Sequence, residues 1–147
     1  MLINTIYLQT KFIEESSTHL KVVSASADGG VHLTSLSSSG SSSEKQLYSH
    51  KGAVHKIAVT DNVLYSCGED GMIAEWDLRS RILSRLCTVR EKHRKIPLFS
   101  ISAHPTKTQY AVSGRDQFVR VYDRRMPKVI YSKFCPQPLV VVSTFIF

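Results

Sequence analysis

The 147-residue chain lacks the residue patterns that mark common catalytic and metal-binding sites. It has no GxSxG nucleophile turn, no HExxH zinc pair and no GxxxxGK[ST] phosphate loop, and its six histidines show no metal-ligand spacing. Its three cysteines are far apart and form no CxxC pair, so neither a disulfide framework nor a zinc knuckle is predicted. We therefore expect no enzymatic activity, no metal and no cofactor.

Long hydrophobic runs and helical periodicity are also missing. The N-terminus, MLINTIYLQTKF, lacks the basic segment and apolar block of a signal peptide. The last nine residues, LVVVSTFIF (139–147), are apolar but too short to cross a bilayer. Since no long window repeats its apolar residues at helical spacing, we predict an all-β fold with no membrane segment.

Positive charge is in excess and is unevenly distributed. Lysine and arginine number 19 against 12 acidic residues, which gives a formal net charge of +7, and most of the basic residues follow position 78. Such an excess suits an acidic partner, either nucleic acid or an acidic protein surface.

One pattern occurs three times, at 22–36, 64–78 and 110–124, and it places an acidic turn between two short apolar runs. The turn aspartates are Asp28, Asp70 and Asp116, separated by 42 and 46 residues. A period of about 40–45 residues is typical of propeller blades with four strands each. Asp-Gly, a hairpin signal, forms the turn in the first two copies, and Asp116-Gln117 replaces it in the third.

The repeat divides the chain into blades at about 1–48, 49–90 and 91–138, followed by the apolar tail 139–147. Strands are predicted before each hairpin, at 6–12, 53–59 and 98–103, and after it, at 46–48, 82–88 and 128–134. The serine-rich stretch 35–43 is predicted to be a flexible loop, because it has too little apolar surface to order itself. The charged stretch REKHRK (90–95) is predicted to be a solvated loop between blades.

The middle copy resembles the WD-repeat family. In that family a loop histidine, a strand serine, the turn aspartate and a tryptophan form a buried hydrogen-bonded network, which His50, Ser66, Asp70 and Trp76 match here. The resemblance implies that the indole N–H reaches the serine hydroxyl, and that these residues are structural. The third copy keeps Asp116 but departs from the full network at its serine and aromatic positions. The first copy departs from it at its aromatic position.

A second motif follows the third strand of two blades. Trp76-Asp77-Leu78-Arg79 and Tyr122-Asp123-Arg124-Arg125 both read aromatic, Asp, any residue, Arg. They resemble the box of WD-repeat substrate receptors that dock on the propeller adaptor of cullin-RING ubiquitin ligases. This resemblance implies adaptor contact by Arg79 and Arg125, together with Asp77, Asp123, Trp76 and Tyr122. The alternative is that each arginine only bonds to neighbouring loop groups.

A longer resemblance covers residues 6–138. SGRDQFVRVYDRR (113–125), KFCP (133–136) and HKGAVHKIAV (50–59) are similar to the WD-repeat cullin-ligase-associated factors numbered eight. This implies a substrate receptor in protein ubiquitination, present in nucleus and cytoplasm, with an unknown protein substrate. The alternative function is a basic WD-repeat scaffold that binds chromatin or nucleic acid.

Just over three repeats are too few for a closed ring, which needs about four to eight blades. We therefore expect a truncated propeller whose ring does not close. Its exposed blade edges are expected to favour self-association. The tail 139–147 has no counterpart in the family pattern.

Overall fold

The computed structural model describes residues 5–16, 18–126 and 128–136. Every element of regular secondary structure in these ranges is a β-strand. The predicted all-β fold is thereby confirmed. The strands are β1 (Tyr7–Ser16), β2 (His19–Ser26), β3 (Gly30–Ser37), β4 (Ser42–Ser49), β5 (Lys56–Thr60), β6 (Val63–Cys67), β7 (Met72–Asp77), β8 (Ile82–Thr88), β9 (Arg90–Glu91), β10 (Arg94–Lys95), β11 (Leu98–Ala103), β12 (Gln109–Gly114), β13 (Phe118–Asp123) and β14 (Val129–Phe134).

Twelve of these strands form three four-stranded antiparallel sheets in which chain neighbours pair. We call them blade A (β1–β4), blade B (β5–β8) and blade C (β11–β14), and β9 and β10 form a small hairpin between B and C. The first strands of the blades lie side by side, with β5 in contact with both β1 and β11. This is the arrangement of consecutive propeller blades, and in the described ranges the three blades do not close into a ring.

Two hydrophobic cores hold the blades together, one at each blade-to-blade contact. Between A and B, apolar side chains of β2 and β3 meet those of β5 and β6, including Val23, Val31, Ile57 and Leu64. Between B and C, the core is larger and includes aromatic rings. Each fully buried aliphatic side chain stabilises such an interface by about 1.5–3 kcal/mol, so blade stacking is the main apolar contribution to the fold.

Strand β6 shows how the sequence produces this stacking. All five of its side chains are buried, because the strand is central in its sheet and has a blade on each side. Leu64 belongs to the core shared with A, whereas Val63, Tyr65 and Cys67 belong to the core shared with C. This division follows the period-two alternation of a strand.

The loop within the serine-rich stretch is shorter than predicted. Strand β3 runs through Ser37 and β4 begins at Ser42, with Ser35 paired to Ser43, so the connecting turn covers only 38–41. Within the turn, Ser37 Oγ lies 2.5 Å from Ser41 Oγ. The prediction of a loop over 35–43 was wrong at both ends because backbone pairing with a neighbouring strand does not require apolar side chains.

Other boundaries also differ. Strand β1 extends to Ser16, β4 begins four residues earlier than predicted, and β5 begins at Lys56, three residues later. The stretch 90–95 is not an irregular loop. Its backbone forms an antiparallel hairpin in which Arg94 lies opposite Glu91 and Lys95 lies opposite Arg90. In blade C, Gln117 adopts the left-handed conformation (φ 64°) that Gly29 and Gly71 adopt in the other blades, which explains how Asp-Gln replaces Asp-Gly.

Blade A carries apolar side chains on the face that points away from blade B. Phe12 pairs in register with Val22 and is 74% exposed, and Leu20 and Leu36 on the same face are also exposed. Self-association through such surfaces stays a prediction. The tail 139–147, for which no family counterpart was expected, lies outside the described residues. The described part of the chain contains no helix with the length and apolar character needed to span a membrane.

Candidate protein-interaction site

The inter-blade loop that enters blade B is anchored by a buried chain of three side chains. Nδ1 of His50 lies 3.0 Å from Oδ1 of Asp70, and Nε2 of His50 lies 2.9 Å from Oγ of Ser66. Since a neutral imidazole has one donor and one acceptor, His50 donates to Asp70 and accepts from Ser66. The structure thus brings these three predicted residues together and places them inside the fold, where they tie the loop to the sheet.

Burial and hydrogen bonds together determine the ionisation states of Asp70 and His50. Burial raises the pKa of Asp70, but N–H groups of Lys51, His50 and Met72 point at its carboxylate, and the net pKa lies below the usual value. For His50, burial lowers the pKa and outweighs the opposing effect of the hydrogen bond that His50 donates to Asp70. Asp70 is therefore ionised and His50 neutral at physiological pH.

Trp76 does not join this network. Its Nε1 is buried and has no hydrogen-bond partner among the described residues, so the expected bond to Ser66 is absent. The Ser66 hydroxyl donates to His50, and its oxygen accepts no hydrogen bond from the indole. The indole packs against the core shared by blades A and B, so its contribution here is apolar.

The other two blades satisfy their turn aspartates within the hairpin. In blade C, Arg120 forms an ion pair with Asp116, and Nη1 of Arg120 lies 3.1 Å from Oδ1. In blade A, Ser26 Oγ and the Gly30 N–H donate to Asp28. Asp116 is therefore a turn-stabilising residue, with an arginine from the next strand in place of a loop histidine.

The turn after β7 presents Arg79. The Asp77 carboxylate accepts from the N–H groups of Arg79 (2.8 Å) and Ser80 (3.2 Å), which fixes the turn. These backbone bonds hold the pKa of Asp77 below its usual value. With the Asn62 carboxamide assigned from its hydrogen-bonding surroundings so that the oxygen faces Arg79, this oxygen accepts from Nε and Nη2 of Arg79, both at 2.9 Å. The arginine is thus exposed at the surface but held in one orientation.

The turn after β13 presents Arg125 in the same way. Oδ1 of Asp123 accepts from the Arg125 N–H at 2.9 Å and from Nε at 3.1 Å, and Oδ2 accepts from Nη2 at 2.8 Å. Thr108 Oγ1 donates to the same carboxylate at 2.9 Å. The bonds from Arg125 hold the pKa of Asp123 well below its usual range. The Arg125 side chain is 75% exposed.

The two aromatic residues of the boxes lie in the inter-blade cores. Tyr122 is only 5% exposed and stacks on Tyr110, with ring centroids 5.4 Å apart. Burial raises the pKa of Tyr122 to about 12. Trp76 is half-buried against blade A. Because side chains alternate along a strand, both aromatic side chains point to the preceding blade and not to the turn edge. The expected adaptor contact therefore does not fit Tyr122.

Arg79 and Arg125 flank one turn of blade C. A cavity of about 470 Å³ is lined by Arg79 and Asp77 on one side and by residues 106–108 on the other. A second cavity is lined by residues 106–109 with Asp123 and Arg125. Because both cavities include the turn 106–108, the two arginines belong to one continuous surface, which we call the box surface (77–80, 106–108 and 123–126).

Sequence reasoning missed the residues that hold this surface together. Asn62 and Thr108, which support the two box turns, lie 46 residues apart, the same offset as the boxes, and this repeat could have revealed them. It also missed Arg124, whose Nε donates to Oε1 of Glu75 in blade B at 2.5 Å. Arg85 of β8 donates to the carbonyl oxygens of Arg124 and Met126. These contacts fix blade C against blade B at the box surface.

In the described ranges, no group of three or more His, Cys, Asp or Glu residues is placed to hold a metal ion. The fold is typical of a non-enzymatic scaffold.

Blades with this repeat and this turn chemistry define the class of protein. Residues 41–77 match the family model "WD domain, G-beta repeat", and the chain is a WD-repeat chain with the β-propeller fold. Two solved structures share this fold. The RRP9 WD40 repeats align with a TM-score of 0.64 at 15% identity, over 90% of this chain and 44% of that one. A chain of the mitotic checkpoint complex gives a TM-score of 0.70 at 16% identity, over 90% and 38%.

Among individual proteins, the chain is similar to DDB1- and CUL4-associated factor 6. The mouse and human proteins are both 31% identical to it over 117 residues. The match covers 72% of this chain but only 13% of each relative, so the chain spans a small part of their length. The similarity supports a WD-repeat scaffold with a protein-interaction role. The assignment to the subfamily numbered eight stays a prediction.

Proposed function

We propose that this chain is a receptor scaffold that docks on DDB1, the propeller adaptor of a cullin-RING ubiquitin ligase, through Arg79 and Arg125. One observation carries the proposal. The two arginines occupy equivalent turns of neighbouring blades, are held by side-chain acceptors and flank a single turn. A partner surface can therefore meet both at once.

The physical basis is the rigid presentation of two guanidinium groups. An arginine offers five donors in a planar fork, and those of Arg79 and Arg125 that are not used by Asn62 and Asp123 can bond across an interface. Because both side chains are already held in place, docking costs less conformational entropy than with free side chains. Arginine is also among the residues that dominate binding energy at interfaces.

The relatives support the choice of partner. Their name associates them with DDB1 and CUL4, and this chain carries a pair of boxes in consecutive blades. In this proposal the chain has no catalytic role, recruits an unidentified protein substrate, and acts in nucleus and cytoplasm. Immunofluorescence of the tagged chain checks the last point, and exclusion from both compartments would contradict it.

The test is capture of purified DDB1 by the full chain, measured by biolayer interferometry. We expect Arg79→Ala/Arg125→Ala to abolish capture, and Arg79→Lys/Arg125→Lys to weaken it strongly, since lysine keeps the charge but loses the fork. The matched control is Arg90→Ala/Arg94→Ala, which removes the same charge from the β9–β10 hairpin and should bind as the unchanged chain does. Unchanged capture by the first variant would overturn the proposal.

A second candidate function is nucleic-acid binding, favoured by the exposed basic residues of 90–95. Phosphate contacts would make binding fall steeply with salt. A titration of duplex DNA at increasing salt separates this function from adaptor docking, and the Arg90→Ala/Arg94→Ala variant should then lose DNA while keeping DDB1.

A further inference from the structure

A second surface lies at the opposite edge of the blades from the box surface. In an antiparallel meander, successive turns alternate between the two ends of the sheet. The box turns follow β7 and β13, whereas the β12–β13 turn and the connection from β8 to β11 lie at the other end. Between these two segments lies a groove of about 780 Å³, lined by residues 91–97 and by Arg115 and Asp116. We call it the basic groove.

The basic groove has an excess of unpaired positive charge. Its four fixed cations are Lys92, Arg94, Lys95 and Arg115, and none of them forms an ion pair with a described residue. Of the two carboxylates in the lining, Asp116 is paired with Arg120. Since all four cations are exposed, their charge is available to a partner.

The walls of the groove are held by backbone contacts. The Arg115 N–H donates to the Pro97 carbonyl at 2.9 Å, which joins the two walls directly. The Ile96 N–H donates to Val89 at 3.0 Å, and the Val89 N–H donates to Gly71 at 2.8 Å. A methyl group on Gly114 would lie 2.4 Å from the Pro97 carbonyl oxygen, so the walls can approach this closely only with glycine there. The groove is therefore preformed.

Apolar atoms form the floor of the groove. Ile96 is buried and Pro97 half-buried, and both line the groove between the charged walls. A ligand that fits must present negative charge to both walls and an apolar group to the floor. The volume is within the range of pockets that enclose a small ligand or a few residues of a peptide.

We propose that the basic groove binds a short acidic peptide segment of a partner protein, with carboxylates on Arg94 and Arg115 and one apolar side chain over Ile96 and Pro97. A nucleic acid fits less well. The lining contains no Phe, Tyr or Trp on which a base could stack. Binding at this edge leaves the box surface free.

Fluorescence anisotropy with the full chain tests this proposal. The probe is a labelled eight-residue peptide of Asp and Glu around a central Leu, compared with a peptide that has Asn and Gln at the acidic positions and with a labelled DNA duplex. We expect the acidic peptide to bind and the amide peptide to bind at least about tenfold more weakly, because two or more ion pairs are lost.

The matched variants are Arg94→Glu/Arg115→Glu and the control Lys45→Glu/Lys133→Glu, which makes the same charge change on the exposed outer strands β4 and β14. We expect the groove variant to lose acidic-peptide affinity by about tenfold or more and the control by less than about twofold. Circular dichroism of each variant confirms that it is folded. Equal loss in both variants, equal binding of the amide peptide, or tighter binding of duplex DNA that the groove variant abolishes would each overturn the proposal.

Discussion

Arg124 in blade C bonds to Glu75 in blade B, with its Nε 2.5 Å from the Oε1 of the carboxylate, and this contact joins the two blades that carry the box surface. Glu75 is only 4% exposed, and Ser84 donates to the same oxygen at 3.2 Å. The hydrogen bond that Arg124 donates to Glu75 raises the pKa of Arg124. The ion pair therefore supplies the counter-charge for a carboxylate buried between blades, whose Oε2 has no hydrogen-bond partner among the described residues.

Removing Arg124 should destabilise the chain, because the Glu75 carboxylate is left buried without its counter-charge. We expect Arg124→Ala to lower the free energy of unfolding by about 2 kcal/mol, less than for a fully buried pair because the arginine side chain is 38% exposed. Urea denaturation measures this. Glu75→Gln/Arg124→Ala should recover part of the loss, and Arg115→Ala, an exposed arginine, should change little. A loss in the double variant larger than in Arg124→Ala would contradict this role.

Trp76 and Ser66 should contribute independently to stability. The indole Nε1 has no partner among the described residues, while Ser66 bonds to His50 at 2.9 Å. We expect Ser66→Ala to cost about 1 kcal/mol, and a double-mutant cycle with Trp76→Phe to show coupling below about 0.5 kcal/mol. Chemical denaturation of the four proteins provides the cycle. Coupling well above that value would show that the indole does bond to the serine.

Gly29 should tolerate substitution far less than Gly40, although both have positive φ (95° and 82°). A methyl group on Gly29 would lie 2.2 Å from the His50 carbonyl oxygen, whereas one on Gly40 would meet nothing within 4 Å. Gly40→Ala should therefore cost only the left-handed backbone penalty of about 1–2 kcal/mol, and Gly29→Ala should cost more. Thermal melts compare the two variants, and equal losses would show that the close approach to His50 is unimportant.

Stability should fall as the pH decreases through the ordinary titration range of histidine. Burial lowers the pKa of His50 in the folded chain below the ordinary histidine value of 6.5. The unfolded chain therefore takes up the proton first, so stability is fully present above about pH 6.5 and is lost as the pH falls below it. His50→Asn should reduce this slope, and His93→Gln should leave it unchanged. Thermal melts between about pH 8 and 5 test this, and an unaltered slope in His50→Asn would contradict it.

Much of the fold could be predicted from the sequence because it depends on a repeat. The spacing of Asp28, Asp70 and Asp116 indicated the blades, and the Asp-Gly turns indicated the hairpins of the first two. The serine-rich hairpin could not be predicted in this way. Its strands are ordered by pairing with neighbours, a property that hydrophobicity does not report.

The site was only partly predictable for a related reason. Asp77 and Asp123 are placed by local turn chemistry, which the sequence encodes directly. The Glu75–Arg124 pair joins residues 49 apart in two blades, and only the stacking of the blades brings them together. The burial of Tyr122 likewise depends on the position of blade B, which a motif along one strand does not report.

The most direct test of the account is hydrogen–deuterium exchange of the full chain with and without DDB1. The proposed docking predicts slower exchange on binding in the box surface, at 77–80, 106–108 and 123–126, with no change at 90–95 in the basic groove. Slower exchange at 90–95 with the box turns unchanged would contradict it, since the adaptor would then occupy the opposite edge of the blades.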